Sequence, residues 1–348
     1  MHISVIIPVY NTVTFVAEAI ESALMQPEIG ELLLIDDGST DGSLDICRRY
    51  AGRHAQVRLL QHPGKRNRGV AASRNLGIAS AACEYIAFLD ADDVYLPGRF
   101  QAAHRIMPGN RRVDGVYDAI GTLHTDTNVT AWYRSQSQPE MLTVAEPIPP
   151  DQLFETLIRG GQGFFCTDGI VVRSSLFHRT GCFDESLRMG EDTAMWVRMS
   201  ALGRLVAGTL TKPVGLRRLH ATNTIYQSRH DNPYYAVRMA EALLEWGRQH
   251  RLPRRRMVLL TDWLFNFQMP KASDTTYFQR KLKEWIFYIS FGRQHPLALR
   301  SPHYWNVIKA SMGLKSLRNR KIVESKNKNH LTHANVVRHI GTEALKRT

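Results

Sequence analysis

Carboxylates are the residues of this chain best equipped for chemistry, and they gather in three groups. Asp90-Ala-Asp92-Asp93 directly follows the apolar run 85–89. Three carboxylates within four positions at the end of a buried strand bring like charges together, and a cation relieves that cost. Hard carboxylate oxygens suit Mg2+ or Mn2+, which link one or two protein carboxylates to substrate phosphates. An acidic turn capping a helix at Leu96-Pro97 accounts for the same residues, so residue types alone leave two explanations open. In Asp36-Asp-Gly-Ser-Thr-Asp41, turn and capping preferences explain Gly38 through Asp41. They do not explain Asp36, at the very end of an apolar strand, where a carboxylate can accept hydrogen bonds from a nucleotide base or from ribose hydroxyls. The third group, Glu191-Asp192, opens an amphipathic helix, a placement that the helix dipole alone favours.

Positioning these groups requires a frame, and the first hundred residues supply its pattern. Strands are expected at 3–7, 32–35, 57–60 and 85–89, and helices at 15–24, 43–50 and 70–81. Such alternation predicts βαβ units and a parallel sheet with helices on both faces. Ligands of these sheets bind beyond the carboxyl ends of the strands, where the acidic groups fall. A further strand is expected at 113–120, then a long loop or small insertion at 121–150. A strand at 169–173, a helix near 174–180 and a firmer helix at 192–202 follow. Beyond residue 232 the pattern is helical, at 233–250, 253–269, 275–291 and 303–312.

Four segments in order, Val5-Ile-Ile-Pro-Val-Tyr-Asn11, Leu34-Ile-Asp-Asp-Gly-Ser-Thr-Asp41, Asn67-Arg-Gly-Val-Ala-Ala-Ser-Arg-Asn75 and Leu89-Asp-Ala-Asp-Asp93, resemble the successive motifs of family 2 glycosyltransferases. Gly181-Cys-Phe-Asp-Glu185, Gly190-Glu-Asp192 and Arg217-Arg-Leu-His220 extend the resemblance, which covers about residues 1–225. It implies a GT-A fold: an α/β, Rossmann-like, mostly parallel sheet flanked by helices, here with a helical C-terminal extension. It also implies that Pro8, Val9 and Asn11 line a nucleotide pocket, that Asp36 contacts uracil or another base, and that Arg74 lies near the diphosphate or ribose. Asp90 would contact the ribose or donor sugar, Asp92 and His220 the metal, Mn2+ or Mg2+, and Asp192 would be the catalytic base. The chemistry agrees, since departure of a nucleoside diphosphate needs its new charge stabilised and an acceptor hydroxyl must lose its proton. The implied activity is transfer from a nucleotide-sugar donor, with UDP-sugars foremost, to a glycan or polyprenyl-linked acceptor in polysaccharide or glycoconjugate biosynthesis, with inversion at the anomeric carbon. The expected organisation is a catalytic domain at 1–230, a basic helical region at 231–320 and a basic, partly disordered tail at 321–348.

Composition is ordinary, at 43% apolar and 22% charged residues, and selects no function. Charge is more telling: of the net +13, residues 212–348 hold 26 Lys/Arg against 8 Asp/Glu. Such a basic region suits an anionic partner, membrane lipid or nucleic acid, or is simply a solvated helical surface. The run 285–291 could enter a membrane interface, a peripheral contact on the inner face of the plasma membrane, or pack on the catalytic domain. The tryptophans 246, 263, 285 and 305 fall in helical apolar patterns, which argues for core positions and against base stacking. Cys47, Cys83, Cys166 and Cys182 lie far apart, as reduced thiols do, and the N-terminal residues lack a signal-peptide pattern, so a cytoplasmic location is expected. No Gly-x-x-x-x-Gly-Lys-Ser/Thr, no Gly-x-Gly-x-x-Gly after the first strand and no zinc-type His pair occur, which removes support from kinase, dehydrogenase and zinc hydrolase chemistry. A sugar-phosphate nucleotidyltransferase would need a Gly-rich, basic loop after Ile7, and none is there. A non-catalytic basic nucleic-acid or scaffold protein is the remaining alternative.

Overall fold

Residues of the first strand divide by twos between two cores. In the computed structural model, which describes residues 1–227, 232–269 and 277–311, β1 (Ile3–Val9) sends Ile3, Val5, Ile7 and Val9 to one core and Ile6 to the other. A strand covered on both faces needs no polar side, which is why its sequence reads as an almost unbroken apolar run. The order continues α1 (Val16–Leu24), β2 (Ile29–Asp36), α2 (Ser43–Arg53), β3 (Val57–Gln61), α3 (Val70–Ser80), β4 (Tyr85–Phe88), β5 (Val94–Tyr95) and α4 (Gln101–Ile106). Next come β6 (Gly115–Tyr117), β7 (Ile120–His124), α5 (Thr127–Ser135), β8 (Met141–Leu142), α6 (Pro150–Arg159), β9 (Ile170–Arg173), α7 (Phe177–Thr180) and α8 (Glu191–Leu202). The elements β10 (Leu205–Ala207), β11 (Gly215–Leu219) and α9 (Thr224–Gln227) complete this part of the chain.

Seven strands form one sheet in the order β10-β6-β9-β4-β1-β2-β3. β4, β1, β2 and β3 run parallel, as do β10 and β6, whereas β9 is antiparallel to both its neighbours. A smaller sheet has the order β5-β11-β7-β8. The core on one face of the large sheet includes Val16, Ala19, Ile20 and Ala23 of α1, at the spacing of one helix face, with Cys47 and Ala103. The opposite core includes Ala71, Leu153, Phe177, Met195, Trp196 and Met199. Gly77 lets α3 lie directly on β1, because a Cβ there would stand 2.5 Å from Ile6 Cγ2.

One expectation here needs correction. The segment 113–120 is not one strand, since β6 belongs to the large sheet and β7 to the small one. Between them Asp118 turns inward to a buried ion pair with Arg99, 2.9 Å, neither side chain exposed, and its N–H donates to the Gly169 carbonyl. Of the two readings of 121–150, the structure has the small insertion: the segment holds most of β7, then α5 and β8. Asp126 caps α5 by accepting from the N–H of Asn128 and Val129, and Val129 and Tyr133 bury one side of the helix.

The chain divides into two units, residues 1–157 with 162–229, and residues 158–161 with 230–348. The described helices of the second unit are α10 (Asn232–Gln249), α11 (Arg254–Gln268), α12 (Tyr277–Gln294) and α13 (Pro302–Ser311). Phe265 is the hub of its core, with ring centroids 5.5 Å from Phe287, 5.1 Å from Phe291 and 5.2 Å from Tyr304. Trp246 is buried as expected, but Trp285 and Trp305 are 37% and 43% exposed, so the expectation of four core tryptophans is wrong for these two. The helix period that marks a face as apolar does not say whether anything covers it. The expected tail at 321–348 lies outside the described residues.

Arg99 also donates from Nε to the Asp168 carbonyl, tying α4's approach, the β6–β7 crossing and the turn before β9 at one point. Arg99→Met should leave Asp118 buried without its cation and cost about 3–5 kcal/mol of stability in urea unfolding; a loss below about 1 kcal/mol would show that the pair does not hold this crossing together.

Candidate active site

The carboxyl ends of β4, β1 and β2, neighbours in the sheet, form one rim, and the loops leaving it are bound to each other. In-register pairing sets Pro8 beside Ile35 and Val9 beside Asp36. Asn11 adopts φ 51°, its N–H donates to Ser39 Oγ at 3.2 Å, and its Oδ1 accepts the Thr40 N–H at 2.8 Å. Asp41 and Ser43, at the entry to α2, accept from the N–H of Val13 and Thr12, both at 2.9 Å. Pro8, Val9, Asn11 and Asp36 are therefore drawn together. Asp36 is buried, with Oδ2 accepting from Gln61 Nε2 at 2.8 Å and Oδ1 from the Ser39 N–H at 3.3 Å. Asp37 serves the backbone instead, since its carboxylate accepts the N–H groups of Arg68 and Gly69 and so fixes the loop ahead of α3.

Arg74 joins two of the acidic groups. It is 3% exposed, on α3, with Nη2 2.8 Å from Asp90 Oδ1 and Nη1 2.8 Å from Glu191 Oε1, and its guanidinium lies over the Phe183 ring. Glu191 and Asp192 begin α8, where Gly190 at φ 79° makes the sharp entry. Asp192 Oδ1 accepts the Thr193 N–H at 2.6 Å and Oδ2 the Thr167 hydroxyl at 3.4 Å. Burial and the adjacent Asp192 charge push Glu191 up to about 7, against the opposing pull of Arg74. Asp90, Arg74, Glu191 and Asp192 thus form a single connected cluster.

Asp92 points elsewhere. Its Oδ2 accepts from His220 Nε2 at 2.8 Å and from Asn223 Nδ2 at 3.2 Å, and Thr222 Oγ1 meets His220 Nδ1 at 2.8 Å. The structure so brings together the Asp92 and His220 of the sequence motifs. Beneath them lies a residue that the sequence motifs do not mark: Asp168, buried, whose Oδ1 accepts the Asp90 N–H at 2.9 Å. Asp90, Asp93 and Asp168 each offer an oxygen, all within 4.8 Å of one another. Asp93, to which the motifs assign no role, and Asp168 are hydrogen-bonded; burial and then neighbouring carboxylate charge raise Asp93 well above its usual range, and burial and then Asp90 push Asp168 up to about 6. Three hard oxygens that repel one another when ionised are a donor set that fits a divalent cation.

Asp168 escaped notice for a topological reason. The acids of the motifs follow strand ends, but β9 is antiparallel to β4, with Ala87 opposite Val171, so the start of β9 reaches the rim and brings the preceding Thr167-Asp168-Gly169 with it. Arg218 escaped for another: its side chain donates to the Asp92 carbonyl and pairs with Glu18 at 2.5 Å, while its N–H donates to Asp93. Arg217 beside it also faces the site: burial opposes its charge, and Cys166, Asp93 and Asp92 nearby favour it. Nothing in the sequence assigns the tandem arginines their separate partners.

A mostly parallel sheet with an Asp-x-Asp at the end of a central strand is the GT-A arrangement. The model of Glycosyl transferase family 2 matches residues 4–180, and the chain belongs to that family. It is 26% identical over 294 residues to the putative glycosyltransferase EpsE of Bacillus subtilis, covering 80% of this chain and 94% of that one. It is 29% identical over 205 residues to the succinoglycan biosynthesis protein ExoU of Rhizobium meliloti, 58% and 57% of the two chains. An uncharacterized glycosyltransferase of Rickettsia felis is 30% identical over 231 residues, 64% of this chain and 34% of its own. The chain spans about a third of the length of the Rickettsia relatives it matches. The crystal structure of S. aureus TarS 1–349 shares the fold, with a TM-score of 0.58 at 16% identity over 95% of this chain and 88% of that one.

The Asp93–Asp168 pair has a consequence for stability. With Asp168 at about 6 against an ordinary 3.8, the folded protein keeps a proton that the unfolded chain releases. That contribution is complete below 3.8 and is lost as pH rises through about 6. In chelator-containing buffer, Asp168→Asn should therefore gain melting temperature relative to the parent as pH rises from 4 to 7; parallel Tm–pH curves would show that the pair is not protonated.

Proposed function

We propose that the chain is an inverting glycosyltransferase that moves a sugar from a nucleoside-diphosphate donor, a UDP-sugar, to a hydroxyl of a glycan or polyprenyl-linked acceptor. The observation that carries this reading is the joining of Asp90 to the start of α8, and so to Asp192, through the one Arg74 guanidinium. Asp36, at the end of β2 with β1 between it and β4, accepts a base N–H, the pairing that uracil N3–H offers. Pro8, Val9 and Asn11 form the wall beside it, and Asp90 takes the ribose or donor-sugar hydroxyls. Support for the donor comes from TarS, whose structures include complexes with UDP and with UDP-GlcNAc. Support for a role in polysaccharide synthesis comes from ExoU, named for succinoglycan biosynthesis.

Asp192 is the general base. Its position at the first turn of α8, with Thr167 and the Thr193 N–H holding its oxygens, leaves a carboxylate aimed by fixed partners and partly open to solvent. It takes the acceptor proton as the acceptor oxygen attacks the anomeric carbon, and one displacement inverts that centre. Arg74 positions the base by fixing Glu191, its neighbour, and does so without reaching the acceptor. Asp92 with His220, and Asp90 with Asp93 and Asp168 behind it, would hold Mn2+ or Mg2+, which when bound supplies positive charge against the departing diphosphate.

The test is transfer by the purified protein, with Mn2+, across a panel of nucleotide sugars and acceptors. We expect transfer or slow donor hydrolysis with a UDP-sugar, and a loss of about 10²–10⁴ in kcat for Asp192→Asn. Neither transfer nor hydrolysis with any donor, or full transfer by the Asn variant, would overturn the proposal.

A further inference from the structure

We infer that the outer face of α12 is a docking surface for an anionic lipid bilayer. This helix is apolar on two sides. Its inner side carries Phe287, Tyr288 and Phe291, whose rings meet Phe265. That side alone satisfies the packing of the bundle. Its outer side carries Trp285, Ile286 and Ile289, which are 37%, 60% and 53% exposed. At 3.6 residues per turn, Trp285 and Ile289 stand one turn apart, Ile286 lies beside them, and Arg293 follows Ile289 by one more turn on the same face. Exposed Lys283 flanks the group. The one acidic residue of α12, Glu284, lies on the inner side and accepts the Ser311 hydroxyl at 2.6 Å.

An indole and two isoleucines in one exposed patch are costly in water and mark a surface that something covers. Charge selects what covers it. Residues 230–348 hold 22 Lys/Arg against 8 Asp/Glu, and the exposed charges nearest in sequence to the patch, Lys283, Arg293 and Arg300, are all positive. A second copy of the chain would bring the same surplus of positive charge against it. A nucleic acid would satisfy the cations and leave Ile286 and Ile289 in water. An anionic bilayer satisfies both, taking the apolar side chains into the headgroup boundary, where tryptophan is favoured, and the cations onto its negative surface. The contact lies on the membrane surface, because no helix among the described residues is long and apolar enough to cross one. A polyprenyl-linked acceptor would be met on that same surface, a consequence that rests on the transfer reading; the docking itself does not.

The experiment is co-sedimentation of the full chain with vesicles of phosphatidylcholine containing 30 mol% phosphatidylglycerol, and with pure phosphatidylcholine. The parent should bind the anionic vesicles and release as salt rises, with roughly tenfold weaker binding to neutral ones. Trp285→Glu/Ile289→Glu should weaken anionic binding by roughly tenfold or more, with an unchanged circular dichroism spectrum and unchanged donor hydrolysis in solution. Lys283→Gln/Arg293→Gln should flatten the salt dependence, and brominated lipid should quench the parent's tryptophan fluorescence more than that of Trp285→Phe. Absence of parent binding, or equal binding by the Glu variant, would overturn the inference. So would a parent dimer, seen by light scattering, that the Glu variant converts to monomer, since the face would then join two copies. The vesicle-binding, quenching and light-scattering readouts are independent of whether sugar transfer or donor hydrolysis is observed.

Discussion

One guanidinium sets the geometry on which the site depends. Arg74 is buried between Asp90, at the end of a central strand, and Glu191, at the start of α8, at 2.8 Å from each. A buried cation with a fixed fork demands carboxylates at both tines, and two buried or half-buried carboxylates demand a cation, so neither side of the arrangement is stable without the other. Burial opposes the charged form of Arg74, and the carboxylates of Asp90, Glu191 and Asp192 around it override that cost and hold it charged. The elements that deliver these groups are far apart in sequence: α3 carries the arginine, β4 one acid and α8 the other. Packing of α3 close against β1 at Gly77, and of α8 through Trp196 onto the same core, brings them into register.

Around that bridge the acidic floor is held by compensation rather than by simple pairing. Arg99 answers Asp118, Arg218 answers Glu18 while holding Asp92 and Asp93 through backbone groups, and burial with the neighbouring Asp168 charge raises Asp93 well above its usual range. Fixed cations and a carboxyl pushed toward its neutral form keep the acids close without filling the space between them. Such a floor is poised to accept positive charge from outside, which is the property a donor site for a nucleoside diphosphate requires.

Much of this was legible in the chain. The strand–helix alternation of the first hundred residues gave the parallel core, because strands buried on both faces must be apolar throughout. The motif residues Asn11, Asp36 and Asp92 fall on one rim because β1, β2 and β4 are neighbours running the same way. Asp168 was not legible, since an acid before a strand reaches this rim only if the strand runs antiparallel, and pairing direction is a tertiary property. The break of 113–120 was hidden for the same reason, as Asp118 reveals its inward turn only once Arg99 is seen opposite it. In the second unit, periodicity located the helices but overstated burial: α12 carries apolar residues on both sides, and sequence cannot say which side the bundle uses.

The central claim, that Arg74 fastens Asp90 and the helix carrying the proposed base Asp192 into one geometry, is tested most directly by a double-mutant cycle. Rates of sugar transfer, as kcat/KM, would be measured for the parent, Arg74→Lys, Glu191→Gln and the double variant. If the bridge positions the base, each single change loses most of what the double loses, giving a coupling of about 1–3 kcal/mol. Losses that add within about 0.5 kcal/mol would show that the two residues act separately, and would contradict the account.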